Sequence, residues 1–80
     1  MSRVINILAN WDPEAKVWVA ESEDIPLVTE ASTVEALLAK LPGIIQDLLE
    51  DEADSEKGLD IAFEFCARFS ESIHIRSRAA

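Results

Sequence analysis

Cysteine is almost missing from this 80-residue chain. Cys66 stands alone, with no second thiol to oxidise and no Cys or His near it at metal-ligand spacing, which fits a reducing compartment. Glycine occurs twice, too rarely for a phosphate-cradling loop or a nucleophile elbow, and no HExxH pattern is present. His74 is the single histidine, and in Ser72-Ile73-His74-Ile75-Arg76 it reads as a surface strand residue rather than a base. No apolar run approaches the roughly 18 residues of a membrane span, and Met1-Ser2-Arg3 leads directly into strand pattern without a signal-peptide core. These absences argue against most enzyme classes and lead to the expectation of a cytoplasmic, non-membrane protein that folds by packing alone, without metal or cofactor.

Basic residues are the other shortage: seven Lys and Arg stand against sixteen Asp and Glu, a net charge of −9. The imbalance is local. Residues 1–20 are neutral and 57–80 slightly basic, whereas 21–56 hold eleven acids against Lys40. Phosphate binding is driven by Lys and Arg, so direct nucleic-acid binding is not expected. A basic protein partner suits this field, since complementary charge speeds encounter and rejects wrong partners.

What is present is mostly apolar, with 49% hydrophobic residues, and reads as one domain over 1–76 with a short tail at 77–80. Residues 4–11 and 16–22 are rich in β-branched and aromatic residues. They flank Asp12-Pro13-Glu14-Ala15, where Pro13 presets φ and Asp12 can bond the following backbone, so an antiparallel hairpin is predicted. Ile5, Ile7, Ala9 and Trp11 share one face; Val4, Asn6, Leu8 and Asn10 share the other. Apolar residues on both faces suggest a helix over one side and partial cover by another chain on the other. A short third strand is expected within 24–31.

Ser32-Thr33-Val34-Glu35 fits a capping box with Ser32 as the cap. Beyond it Val34, Leu37, Leu38, Leu41, Ile44, Ile45, Leu48 and Leu49 recur at the helical period and form the predicted core stripe. Pro42-Gly43 interrupts the stripe, so a kink or two short helices near 33–41 and 43–50 are expected over the same sheet. An acidic loop, Glu50 to Glu56, follows; it lacks the Asp-x-Asp-x-Asp-Gly spacing of a calcium loop. Residues 59–69 give the longest predicted strand, with Phe63, Phe65 and Phe69 inward. Its edge is the natural template for pairing with another copy. Asp60 and Glu64 on its other face, with Asp12, are the residues a metal-dependent hydrolase would use; a solvated β-face with cross-strand ion pairs is the simpler reading.

The phrases Trp11-Asp12-Pro13-Glu14-Ala15-Lys16-Val17-Trp18-Val19-Ala20 and Ser22-Glu23-Asp24-Ile25-Pro26-Leu27-Val28-Thr29-Glu30-Ala31, followed by a helix from Ser32, resemble HicB-like antitoxin domains, and most of all their small stand-alone relatives of unknown function. The resemblance implies an α+β fold, β-β-β-α-β, a partial ribonuclease-H-like unit without that enzyme's catalytic carboxylates. It further implies a homodimer that neutralises a small, basic, RNA-cleaving toxin. The acids expected to meet such a partner are Glu30, Glu35, Asp47, Glu50, Asp51, Glu52 and Asp54. Many relatives carry a C-terminal DNA-binding element; only Arg76-Ser77-Arg78-Ala79-Ala80 follow Ile75, so operator binding is not expected. A structural oligomerisation domain without a toxin is the alternative.

Overall fold

The computed structural model describes residues 2–50 and 60–77. Among them the chain forms β1 (Ser2–Asp12), β2 (Val17–Glu21), β3 (Val28–Ala31), α1 (Val34–Leu49) and β4 (Asp60–Arg68). The sheet order is β3-β2-β1-β4. β1 pairs antiparallel with β2, and β2 with β3, as the hairpin chemistry predicts. β4 runs parallel to β1, from Ser2 opposite Asp60 to Asn10 opposite Arg68. The sheet is therefore mixed rather than wholly antiparallel. The reason is the helix: a parallel return needs a long crossover, and α1 supplies it. β1, with eleven residues, is also longer than β4, with nine, because its two registers are offset: β4 pairs with its first part from Ser2, and β2 with its last part as far as Asp12.

The hairpin turn follows its sequence closely. Asp12 Oδ1 accepts from the Glu14 and Ala15 amides at 3.0 and 3.3 Å, and the Lys16 amide donates to the Asp12 carbonyl at 2.7 Å. Lys16 closes the turn with φ of 57°, in the left-handed region that disfavours a side chain.

The short third strand falls in the last part of 24–31, because residues 22–27 form a knot of local bonds. Ser22 Oγ accepts from the Asp24 amide, the Ser22 amide donates to the Leu27 carbonyl, and the Leu27 amide donates to the Ile25 carbonyl. The Asp24 carboxylate takes the Asn6 backbone amide at 2.8 Å, occupying a β1 donor outside the β1–β2 register, which begins at Leu8. This loop buries Ile25 and Leu27.

The helix begins one residue later than the capping box suggests. Thr33, extended at φ −134° and ψ 156°, is the N-cap; its Oγ1 accepts from the Ala36 amide at 3.0 Å. Ala36 has no carboxylate to reach back, so only half of the reciprocal box forms. One helix continues through Pro42 to Leu49, in place of two short ones. Pro42, Gly43 and Leu38, whose carbonyl loses its donor at proline, are all exposed, and a Cβ at Gly43 would meet nothing within 4 Å. The apolar register holds the helix together across the break.

Leu37, Leu41, Ile45 and Leu49, each four residues apart, are buried together with Ile5, Ile7, Ala9, Ala20, Ile25 and Leu27. Val34 and Ile44 are half-buried, while Leu38 and Leu48 remain exposed; a single helix meets the sheet along one ridge, narrower than the eight-residue stripe. Ala9 lies directly opposite Ala20, leaving room for bulkier side chains above. Phe63 and Phe65 pack against this core but are only half-buried, and Phe69 lies beyond β4 and is exposed.

Two stability outcomes follow from this packing. Leu41→Ala is expected to cost about 2–5 kcal/mol in urea unfolding and Leu38→Ala below about 1 kcal/mol; equal costs would contradict the ridge. Lys16→Gly is expected to raise stability by about 0.5–1 kcal/mol in the same measurement by relieving the left-handed turn residue.

Candidate interaction surface

The strand pleat divides the sheet into two unlike faces. Ile5, Ile7, Ala9 and Trp11 of β1, Trp18 and Ala20 of β2, Thr29 and Ala31 of β3, and Ile61, Phe63, Phe65 and Ala67 of β4 share the helix side by register. The opposite side carries Val4, Asn6, Leu8 and Asn10 between Val17, Val19 and Glu21 on one flank and Ala62, Glu64, Cys66 and Arg68 on the other. No described helix covers it. Val4 and Val28 lie exposed there.

At one end of the helix side, Trp11 and Trp18 are cross-strand partners with ring centroids 5.6 Å apart. Phe69 joins them at 6.0 and 6.1 Å. The tilted rings sit in the range where aromatic pairs attract. Toward the other end, the helix leaves β4 partly uncovered. A groove of about 500 Å³ runs between Pro42, Ile45, Gln46 and Leu49 of the helix and Ile61 and Phe63 of β4.

The predicted contact acids do not converge. Glu30 lies on β3 opposite Val19, facing away from the helix, while its carbonyl accepts from Lys40 Nζ at 2.7 Å. Glu35 is in the first helical turn, where the helix dipole favours a carboxylate. Asp47 is exposed on the last part of the helix, and Glu50, the exposed C-cap, stands at the rim of the groove beside β4. Asp51, Glu52 and Asp54 lie outside the described residues.

A different set of carboxylates does come together. Glu21, Glu23, Asp24 and Glu64 line a groove of about 460 Å³ with Asn6, Leu8 and Cys66, and no Lys or Arg is among the lining residues. Sequence proximity marks three of these acids. The fourth arrives from β4, because β1 places Asn6 opposite Glu64 and holds Asp24 by its Asn6 amide. Only the β1–β4 register brings Glu64 to this place.

The hydrolase set is not assembled. Asp12 ends β1 and is occupied in the turn, whereas Asp60 pairs with Ser2 at the opposite end of that strand, about 33 Å away by strand rise. Among the described residues no cluster of three His, Cys, Asp or Glu is arranged to hold a metal, and no helix is long and apolar enough to cross a membrane. His74 and Cys66 are both exposed.

No curated protein matches the chain. Among solved structures, it is similar to the crystal structure of hypothetical protein TTHA1013 from the extremely thermophilic bacterium Thermus thermophilus. The two are 40% identical, with a TM-score of 0.62, over 91% of this chain and 100% of that one. Residues 4–77 match the family described as Domain of unknown function (DUF1902), and the chain belongs to that family.

Proposed function

We propose that this chain is a non-enzymatic, cytoplasmic interaction module of the HicB-like antitoxin type, which holds and neutralises a small, basic, RNA-cleaving toxin. The observation that carries this reading is the groove in which Glu21, Glu23, Asp24 and Glu64 converge without a Lys or Arg in its lining. Four carboxylates on one concavity favour a cationic surface over nucleic acid, whose phosphates they repel. Asp47 and Glu50, both exposed, lie on the helix across the sheet from this groove and form no part of it. Asp12 does not converge with Asp60 and Glu64, so the hydrolase alternative draws no support from their placement. The alternative, an oligomerisation domain without a toxin, draws support from a separate feature, the exposed segment after β4, and predicts no rescue in the test below.

The test is coexpression with the product of the neighbouring gene, where that product is a basic protein of fewer than about 100 residues by the size the reading requires. Rescue of growth is expected. The affinity of the purified pair is expected to fall at least about tenfold between roughly 50 and 500 mM salt, as exposed charges are screened. Glu21→Lys with Glu64→Lys should abolish rescue while leaving the circular dichroism spectrum unchanged. Affinity indifferent to both salt and the double reversal, or the lack of rescue by the unaltered chain, would sink the proposal.

A further inference from the structure

The chain is far from compact. Its radius of gyration is 17.7 Å and its longest dimension 74 Å, against about 12 Å for the radius of a compact 80-residue domain. Neither the helix, about 24 Å long, nor β1, about 36 Å, spans such a length. β4 and the residues after it, 60–77, reach about 60 Å when extended. Every side chain of 69–77 is exposed. Three are large and apolar: Phe69 at 54%, Ile73 at 76% and Ile75 at 79%.

The spacing of these three is informative. In an extended chain they continue the alternation of Ile61, Phe63 and Phe65, so they belong to the helix side of the sheet. They extend past the strand's pairing with β1, which ends at Arg68; Phe69 rests against Trp11 and Trp18, whereas Ile73 and Ile75 are left uncovered by the described residues. Among the described residues β4, nine residues long, is an edge strand paired on one side only, and a groove lined by Ile45, Leu49, Ile61 and Phe63 flanks its apolar face. An exposed apolar arm and an uncovered apolar ledge occur on one contiguous segment.

We infer that residues 60–77 form the seam of a symmetric dimer, in which the segment pairs antiparallel with its counterpart in a second copy, centred on Phe69, and joins two sheets into one of eight strands. This register sets Ile73 opposite Phe65 and Ile75 opposite Phe63 of the partner subunit, and both isoleucines cover the open groove. It sets His74 opposite Glu64 on the other face and puts Arg76 diagonal to both Asp60 and Glu64, so the charges alternate in sign across the seam. The same segment supplies arm and ledge, so two copies close the assembly and no edge remains to recruit a third there. Shifting the register by one residue would turn the isoleucines to the wrong face.

The inference does not rest on toxin binding, and its test reads the seam alone. Light scattering of the full chain should give about twice the 8.9 kDa monomer mass. Ser72→Cys places a thiol directly opposite Cys66 of the other copy in this register, whereas within one extended chain the two positions lie about 20 Å apart. Oxidised Ser72→Cys is expected to run as a covalent dimer that reductant reverses, and Ser70→Cys to cross-link far less. Ile73→Asp with Ile75→Asp is expected to weaken dimerisation on the order of 100-fold while retaining the native circular dichroism spectrum; if that variant does not fold, the cross-linking result decides. A monomeric mass, a disulfide between Cys66 and the introduced thiol of the same chain, or equal cross-linking by the two cysteine variants would overturn the seam.

Discussion

The fold depends on the burial of β1 between two neighbours and beneath one helical ridge. Ile5, Ile7 and Ala9 are essentially without solvent contact, and their strand is bonded to β2 on one side and β4 on the other. Leu37, Leu41, Ile45 and Leu49 close over them. A chain of this size removes only about 60% of its unfolded surface from water, so ten buried apolar residues in one cluster carry most of the driving force. The helix crosses from β3 to β4 because that ridge must lie over β1, and the crossover in turn makes the last strand parallel.

The same strand builds the acidic groove. Asn6 stands at the point where β1 passes the end of the β1–β2 register, and its amide and side-chain nitrogen both donate to Asp24. Glu64 lies across from it on β4. A loop acid and a strand acid are thus drawn to one residue of the central strand by backbone pairing rather than by any attraction between carboxylates, which repel. The groove so formed presents carboxylates and no Lys or Arg in its lining, a surface complementary to a cationic partner.

Much of this was legible in the residues. The turn chemistry of Asp12 and Pro13, the alternation of Ile5, Ile7 and Ala9, and the four-residue spacing of the buried helical side chains each act over a few positions, and each appears in the fold. What was hidden depends on partners distant in sequence. A period of two gives β4 its faces but not its direction. Ile25 and Leu27 lie in a polar loop phrase and reach the core through local bonds that no periodicity announces. Thr33 displaces Ser32 as the cap because backbone dihedrals, rather than residue preference, decide which hydroxyl faces the Ala36 amide. The candidate acids Asp47 and Glu50 are exposed on the helix, whereas the groove around Glu64 needed the β1–β4 register to become visible.

The pairing of β1 with β4 joins the first strand of the fold to the last. During synthesis the hairpin, the loop with Ile25 and Leu27, and the helix all emerge before β4 does, so one flank of β1 remains unsatisfied until β4 leaves the ribosome. Contacts so remote along the chain are slow to close, and an open flank of this kind invites nascent-chain aggregation. The β1 flank that β4 closes is therefore the last part of this sheet to be protected from wrong pairing.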